Sequence, residues 1–234
     1  MIVISIDFLR YDRAAPFRKW WEGTEYTQHH THNTMTLPTF RRLVNKLSIP
    51  ARSSFATDWD KLMPVVKRQF TSTIFRRGTS DLLAYAYEHQ DEELMWVHLW
   101  ERLHTIPIDD LTIPLYAKEY DQAIQELSDV IQEFAKKVSC PLAITADHGI
   151  IIEELGWMGD PLYTRRDLCE GTLHVPLFMP GKKETITRRT SHDGLGAIFN
   201  GTSTEDWNVL KCWFMEDAYL YDGVNRPVPA PIPE

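Results

Sequence analysis

Three side chains that directly follow apolar runs hold the chemistry most easily read from this chain. Asp7 closes Ile2-Val3-Ile4-Ser5-Ile6, and Asp147 closes Leu142-Ala143-Ile144-Thr145-Ala146, with His148 and Gly149 next in line. Two carboxylates and an imidazole from distant segments make a hard-oxygen set with one borderline nitrogen, suited to Mg²⁺, Ca²⁺, Mn²⁺ or Zn²⁺. The competing reading makes both aspartates helix caps and His148 a turn residue, and spacing alone does not separate the two. Thr36-Leu37-Pro38-Thr39 opens a helical period, with threonine as N-cap and proline inside the first turn, a sufficient structural reason for both. That helix end also gathers unpaired amides and the positive end of the dipole, where a phosphate or sulfate is held against the Thr36 hydroxyl. A cation at Asp7 and Asp147 would lower the pKa of that hydroxyl and make it a nucleophile.

The elements that must position these groups are legible as alternation. Residues 2–6, Leu94–Trp100, Pro141–Thr145 and Val175–Met179 are short apolar runs bounded by polar, Pro or Gly residues, the pattern of strands covered on both faces. Between them Leu37, Phe40, Leu43, Val44 and Leu47 recur at helical steps, as do Tyr116, Tyr120, Ala123, Ile124, Leu127, Ile131 and Phe134. This predicts an α/β fold with a mostly parallel sheet between helices, whose ligands collect at the carboxyl ends of the strands. Residues 48–90 give only weak helical signals, around Leu62–Phe70 and Asp81–Tyr87. The expected organisation is one domain over residues 1–226, then a Pro-rich tail at 227–234 that cannot enter a sheet interior and frays.

Composition narrows the partners. With 234 residues, 25 basic and 33 acidic side chains and a net charge of -8, the chain is an ordinary globular protein without a broad phosphate-backbone surface. Nucleic acid is therefore not expected, and a local basic pocket for a small anion remains compatible. No run approaches a membrane span, and the strand-like opening is not a secretory leader, so no membrane partner and a cytoplasmic location are expected. Cys140, Cys169 and Cys212 are odd in number and far apart, which suits buried thiols rather than a disulfide or zinc framework. His29, His30 and His32 read as a polar strand face or substrate rim rather than a metal site, since only His30 and His32 share a face. His98, inside an apolar strand, reads as a satisfied core residue, and the tryptophans as core and cleft lining. Arg165 and Arg166 offer bidentate contacts to a tetrahedral oxyanion, or else form a solvated basic pair.

Five segments, in order, resemble sulfatase-type enzymes of the alkaline phosphatase superfamily. MIVISIDFLRYDRAAPFRKWWEGTEYTQHHTHNTMTLPTF is similar to their amino-terminal strand and nucleophile turn, and MWVHLWERLHTIP to a strand with its His-Thr-x-Pro loop. LYAKEYDQAIQELSDVIQEF is similar to their long helix, LAITADHG to the metal-binding Asp-His-Gly turn, and RRDLCEGTLHVPLFMPG to the closing strand. The likeness spans residues 1–47 and 94–201.

The resemblance implies metal ligands Asp7, Thr36, Asp147 and His148, with Thr36 also the nucleophile. It implies His104 at the leaving oxygen and Arg166 on the anion. Arg10 follows the first ligand as in the family, and Arg10, Arg165 and His174 are the expected substrate-side residues, His174 standing where the family commonly has arginine and so in a supporting or core place rather than as a ligand. Departures refine this. Threonine cannot become the formylglycine of sulfatases, the arginine expected four residues on is Phe40 with Arg41 displaced by one, and phosphate-handling members use threonine. Phe8 stands where a second carboxylate often follows and Asp121 lacks a histidine four residues on, which implies one divalent cation; EELG also lacks the usual loop histidine, as in a minimal or degenerate member. No carboxy-terminal antiparallel subdomain is evident after Gly201. The expected activity is metal-dependent hydrolysis of a small-molecule phosphate or sulfate ester; the alternatives are a degenerate binding module of the same fold and a transferase that passes the group to an alcohol. Oligomeric state is not legible.

Overall fold

The computed structural model describes residues 1–106, 113–152, 168–203, 205–214, 217–225 and 227–231. In chain order its first half runs β1 (Ile2–Ile6), α1 (Ala15–Arg18), β2 (Thr24–Tyr26), β3 (His29–His30), α2 (Thr36–Lys46), β4 (Ser53–Thr57), α3 (Met63–Val66), β5 (Ser72–Phe75) and α4 (Thr79–Glu88). There follow β6 (Leu94–Leu99), α5 (Glu101–His104), α6 (Ile113–Ala135), β7 (Leu142–Thr145), β8 (Leu177–Met179), β9 (Glu184–Ile186) and β10 (Thr190–Ser191). The chain closes with β11 (Leu210–Phe214), β12 (Asp217–Tyr221) and β13 (Val228–Pro229).

The central sheet has eight strands in the order β5-β4-β6-β1-β7-β8-β2-β9. Every pairing in it is parallel except the two made by β8, which runs antiparallel to both β7 and β2. The mostly parallel α/β class read from strand–helix alternation is the observed one.

Strand parity sorts the core into two layers. Ile2, Ile4 and Ile6 of β1 pack with Met95, Val97, Leu99, Ile144 and the apolar stripe of α6. Val3, Trp96 and Ala143, one residue out of phase, pack with Phe40, Leu43 and Val44 of α2. Because successive side chains of a strand alternate faces, the odd-numbered positions of β1 and β7 all point toward α2. Extended by one or two residues, that parity puts Asp7 and Asp147 on the α2 side of adjacent parallel strands. The fold class thus places the two carboxylates next to each other.

Several expectations are corrected. Residues 48–90 contain two further parallel strands, β4 and β5, which the sequence hid because Ser53-Ser54 and Ser72-Thr73 dilute the apolar signal. A small antiparallel sheet, β11-β12-β13, does exist after Gly201, registered as Cys212↔Tyr219 and Leu220↔Val228. Its last strand is drawn from the Pro-rich tail. Val228–Pro229 sits at the sheet edge, where a proline's missing N–H costs no ladder bond. No described helix is long and apolar enough to cross a membrane.

Candidate active site

Asp7 leaves the end of β1 fully buried, its backbone N–H donating to the Leu99 carbonyl at 2.9 Å. Asp147 leaves β7 and is equally buried. His148 follows in a tight turn whose direction is set by Gly149. A Cβ on Gly149 would lie 2.0 Å from the Gly171 carbonyl oxygen, so only glycine lets this turn approach the short helix Glu170–Leu173. The Gly149 N–H donates to Thr172 O at 2.9 Å, which locks the approach.

Thr36 comes from the opposite side, at the first turn of α2. It is a helical residue; Met35, with φ -137° and ψ 134°, occupies the N-cap position, and its N–H donates to Asn33 Oδ1 at 3.1 Å. This corrects the N-cap reading of Thr36, whose hydroxyl is turned away from its own helix. It donates to Asp7 Oδ1 at 3.2 Å and lies 3.2 Å from His148 Nε2. The His148 ring is oriented by its other nitrogen, 2.9 Å from the Gly149 carbonyl. A carbonyl only accepts, so Nδ1 carries the proton and Nε2 presents a lone pair to the site.

These groups form a compact donor set. His148 Nε2 is 3.4 Å from Asp7 Oδ1 and 3.5 Å from Asp147 Oδ2. One ligand atom from each of Asp7, Asp147 and His148 lies within 4.8 Å of the others, and among the described residues this is the one such group. Both Asp147 oxygens are buried and accept no hydrogen bond from the protein. Burial pushes the Asp7 carboxyl well above the usual carboxylate range and the charge of Asp147 adds to this, with His148 and the Thr36 hydroxyl opposing. A divalent cation fits this chemistry: it would satisfy the orphaned oxygens and offset the repulsion. His104, at the end of α5, reaches in with Nδ1 3.3 Å from Asp7 Oδ2.

The remaining sequence candidates fall as follows. Arg10 is buried, with Nε and Nη2 on Asp12 at 2.9 and 2.7 Å and Nη1 on the Ile150 carbonyl at 3.2 Å. His174 is stacked between Tyr11 and His30 at centroid distances of 4.1 and 4.6 Å, and its Nε2 lies 2.9 Å from the Thr27 carbonyl. Arg10 and His174 line one cavity of about 470 Å³ together with Tyr11, Asp12, Gln28 and Glu170. Arg165 and Arg166 lie outside the described residues. Phe40 is a core residue against Phe55, Trp96 and His98, and Arg41 is exposed.

His98 is buried beneath the site with Nδ1 3.3 Å from Ser5 Oγ, while Nε2 has no hydrogen-bond partner, so its satisfaction is only half what was expected. Sequence reading gave no role to Phe8 beyond its departure from a pattern, nor to Asp58 or Tyr120. All three touch the segments that carry the site, and their signal is tertiary.

The class that these elements define is the fold of the alkaline phosphatase superfamily. A protein of that superfamily from Vibrio parahaemolyticus superposes with a TM-score of 0.66 at 10% identity, over 94% of this chain and 74% of that one. A 2-O GAG sulfatase matches at TM-score 0.67 and 10% identity, over 95% and 81% of the two chains. The C-terminal periplasmic domain of the phosphoethanolamine transferase EptC from Campylobacter jejuni matches at 0.61 and 11%, over 86% and 87%. No family model matches the chain, and no curated protein matches it.

Proposed function

We propose that the protein cleaves a phosphate or sulfate ester of a small molecule, with Thr36 as nucleophile. The observation that carries this reading is the buried cluster of Asp7, Asp147 and His148 at the strand ends, with the Thr36 hydroxyl donating to Asp7 and lying against His148. Asp7, Thr36, Asp147 and His148 would hold one divalent cation, which when bound supplies charge to activate the hydroxyl and to neutralise the transferred group. Thr36 Oγ1 attacks phosphorus or sulfur in line, its proton passing toward Asp7 Oδ1. The bond to the leaving oxygen breaks with its electron pair on that oxygen, which takes a proton from His104 Nε2. Water then attacks the Thr36 ester and gives its proton to His104, while Thr36 Oγ1 leaves with the electron pair of its bond to phosphorus or sulfur and takes back the proton held at Asp7 Oδ1. Arg166 and Arg165 are assigned to the equatorial oxygens by their place in the sequence, and the cavity at Arg10 and His174 to the remote part of the substrate.

Likeness to a phosphoethanolamine transferase favours a second reading, in which an alcohol rather than water accepts the group from Thr36. The test is a panel of p-nitrophenyl phosphate, phosphodiester, phosphonate and sulfate esters, each with Mg²⁺, Ca²⁺, Mn²⁺ and Zn²⁺ and with or without an added alcohol. Turnover in the wild type that disappears in Thr36→Ala is expected, and acceptor-dependent turnover selects the second reading. Turnover retained by Thr36→Ala defeats both.

A further inference from the structure

Phe8 is the one non-glycine residue, among those described, whose backbone lies in the left-handed region, with φ 64°. For a bulky residue this conformation is strained and persists only where the surroundings over-determine it. Tyr120 of α6 does so. Its buried hydroxyl donates to the Phe8 carbonyl at 2.6 Å and accepts the Arg10 N–H at 3.2 Å, bracketing the turn. What the strained conformation delivers is a ring. Phe8, itself buried, stacks on the His104 imidazole at a centroid distance of 4.9 Å and 22°, and sets its edge against His148 at 5.2 Å and 62°.

A second ring meets His104. Trp100 stacks on it at 4.0 Å and 27°, and Trp59 backs Trp100 at 5.4 Å with planes 4° apart. Trp100 is in turn anchored, since Asp58 at the end of β4 accepts the N–H groups of Trp100 at 2.7 Å and Glu101 at 3.2 Å. His104 sits on a short helix with its side chain 27% exposed, where an unconstrained imidazole would sample several rotamers.

We propose that Phe8 and Trp100 are positioning residues, a clamp of two rings that fixes the plane of His104 beside Asp7 so that it meets the leaving oxygen in one orientation. This rests on the role assigned to His104 above. Misplacement of a proton donor by about 1 Å can cost on the order of 10²-fold, which is the scale at stake.

The test compares Trp100→Leu, Trp100→Phe and Phe8→Leu on alkyl and p-nitrophenyl esters, with an NMR measurement of the His104 ring protons in the metal-free protein. Trp100→Leu and Phe8→Leu are expected to slow alkyl esters by roughly 10- to 10²-fold while leaving nitrophenyl esters nearly unchanged, because only the poor leaving group needs the proton. Trp100→Phe, which keeps a ring at that place, should restore most of the alkyl-ester rate. The His104 protons, shielded by the two rings, should move downfield in Trp100→Leu. Equal slowing of both ester classes, or a Trp100→Phe variant as damaged as Trp100→Leu, overturns the proposal. If the wild type turns over no ester, the functional reading fails; the clamp is then decided by the ring-proton shifts, surviving if they move and rejected if they do not.

Discussion

Asp7 answers to two opposed demands. Its carboxylate is completely buried beside a second buried carboxylate, so in the metal-free protein folding favours its neutral form. A carboxyl whose folded pKa is raised binds more protons folded than unfolded, so its contribution to stability falls as pH rises through that raised pKa. Asp7→Asn removes the charge while keeping an acceptor for the Thr36 hydroxyl. The metal-free variant should therefore melt a few degrees higher than the wild type at neutral pH, about 1 kcal/mol corresponding to roughly 2–4 °C for a chain of this size. Its melting temperature should no longer respond to divalent cations, whereas the wild type should be stabilised by them as any ligand stabilises the state it binds. A scan of melting temperature with and without Zn²⁺, Mn²⁺, Mg²⁺ and Ca²⁺ measures both effects. Asp147→Ala should also lose the cation response, and with it the turnover.

At the scale of elements, the site depends on two close approaches. α6 reaches the loop after β1 through the Tyr120 hydroxyl, which bridges the Phe8 carbonyl and the Arg10 N–H. Tyr120→Phe removes one hydrogen bond from each of these two buried backbone groups, at a cost of about 1–3 kcal/mol. Urea unfolding should show a lowered midpoint with an unchanged slope, since the surface exposed on unfolding is the same. The second approach joins the loop after β7 to the helix Glu170–Leu173. In Gly149→Ala the new methyl meets the Gly171 carbonyl, so the two backbones must separate and His148 must shift with them. Overpacking of this kind typically costs about 1–3 kcal/mol, and here cation affinity should fall along with stability. A calorimetric titration with Zn²⁺ compared with the wild type reads the shift in His148.

The molecule as a whole carries an unusual load of buried neutral histidine. Burial lowers His29, His30 and His32 below the usual imidazole value of 6.5, and brings His98 and His192 down to about 4. Each lowered imidazole binds fewer protons folded than unfolded between its folded and unfolded values. Its stabilising contribution is therefore complete above pH 6.5 and is lost as pH falls below that value, for His98 and His192 down to about 4. Asp7 and Asp58, both raised by burial, act in the opposite sense, but they are two groups against five. The melting temperature of the metal-free protein should fall steadily over that interval, beginning above the range in which ordinary carboxylates titrate. A flat profile there would mean that these rings take up protons within the folded state.

How much of this was legible in the sequence follows from the range over which each signal acts. Apolar runs and helical periods are local, so β1, β6, β7, α2 and α6 could be read directly, and strand parity brings Asp7 and Asp147 to one face of adjacent strands. The segment between α2 and β6 was not readable, because β4 and β5 are half-polar strands stabilised by their neighbours in the sheet rather than by their own pattern. The small β11-β12-β13 sheet was missed for a similar reason, its edge being drawn from a Pro-rich tail. The sequence by itself determined which residue types could hold a cation and carry a nucleophile, because side-chain chemistry belongs to the residue. Only the tertiary structure decided that the Thr36 hydroxyl turns from its helix end to Asp7 and His148, that Phe8 takes a left-handed backbone, and that His104 lies against the rings of Phe8 and Trp100. Orientation and ring stacking arise from contacts between segments far apart in the chain, and no local pattern encodes them.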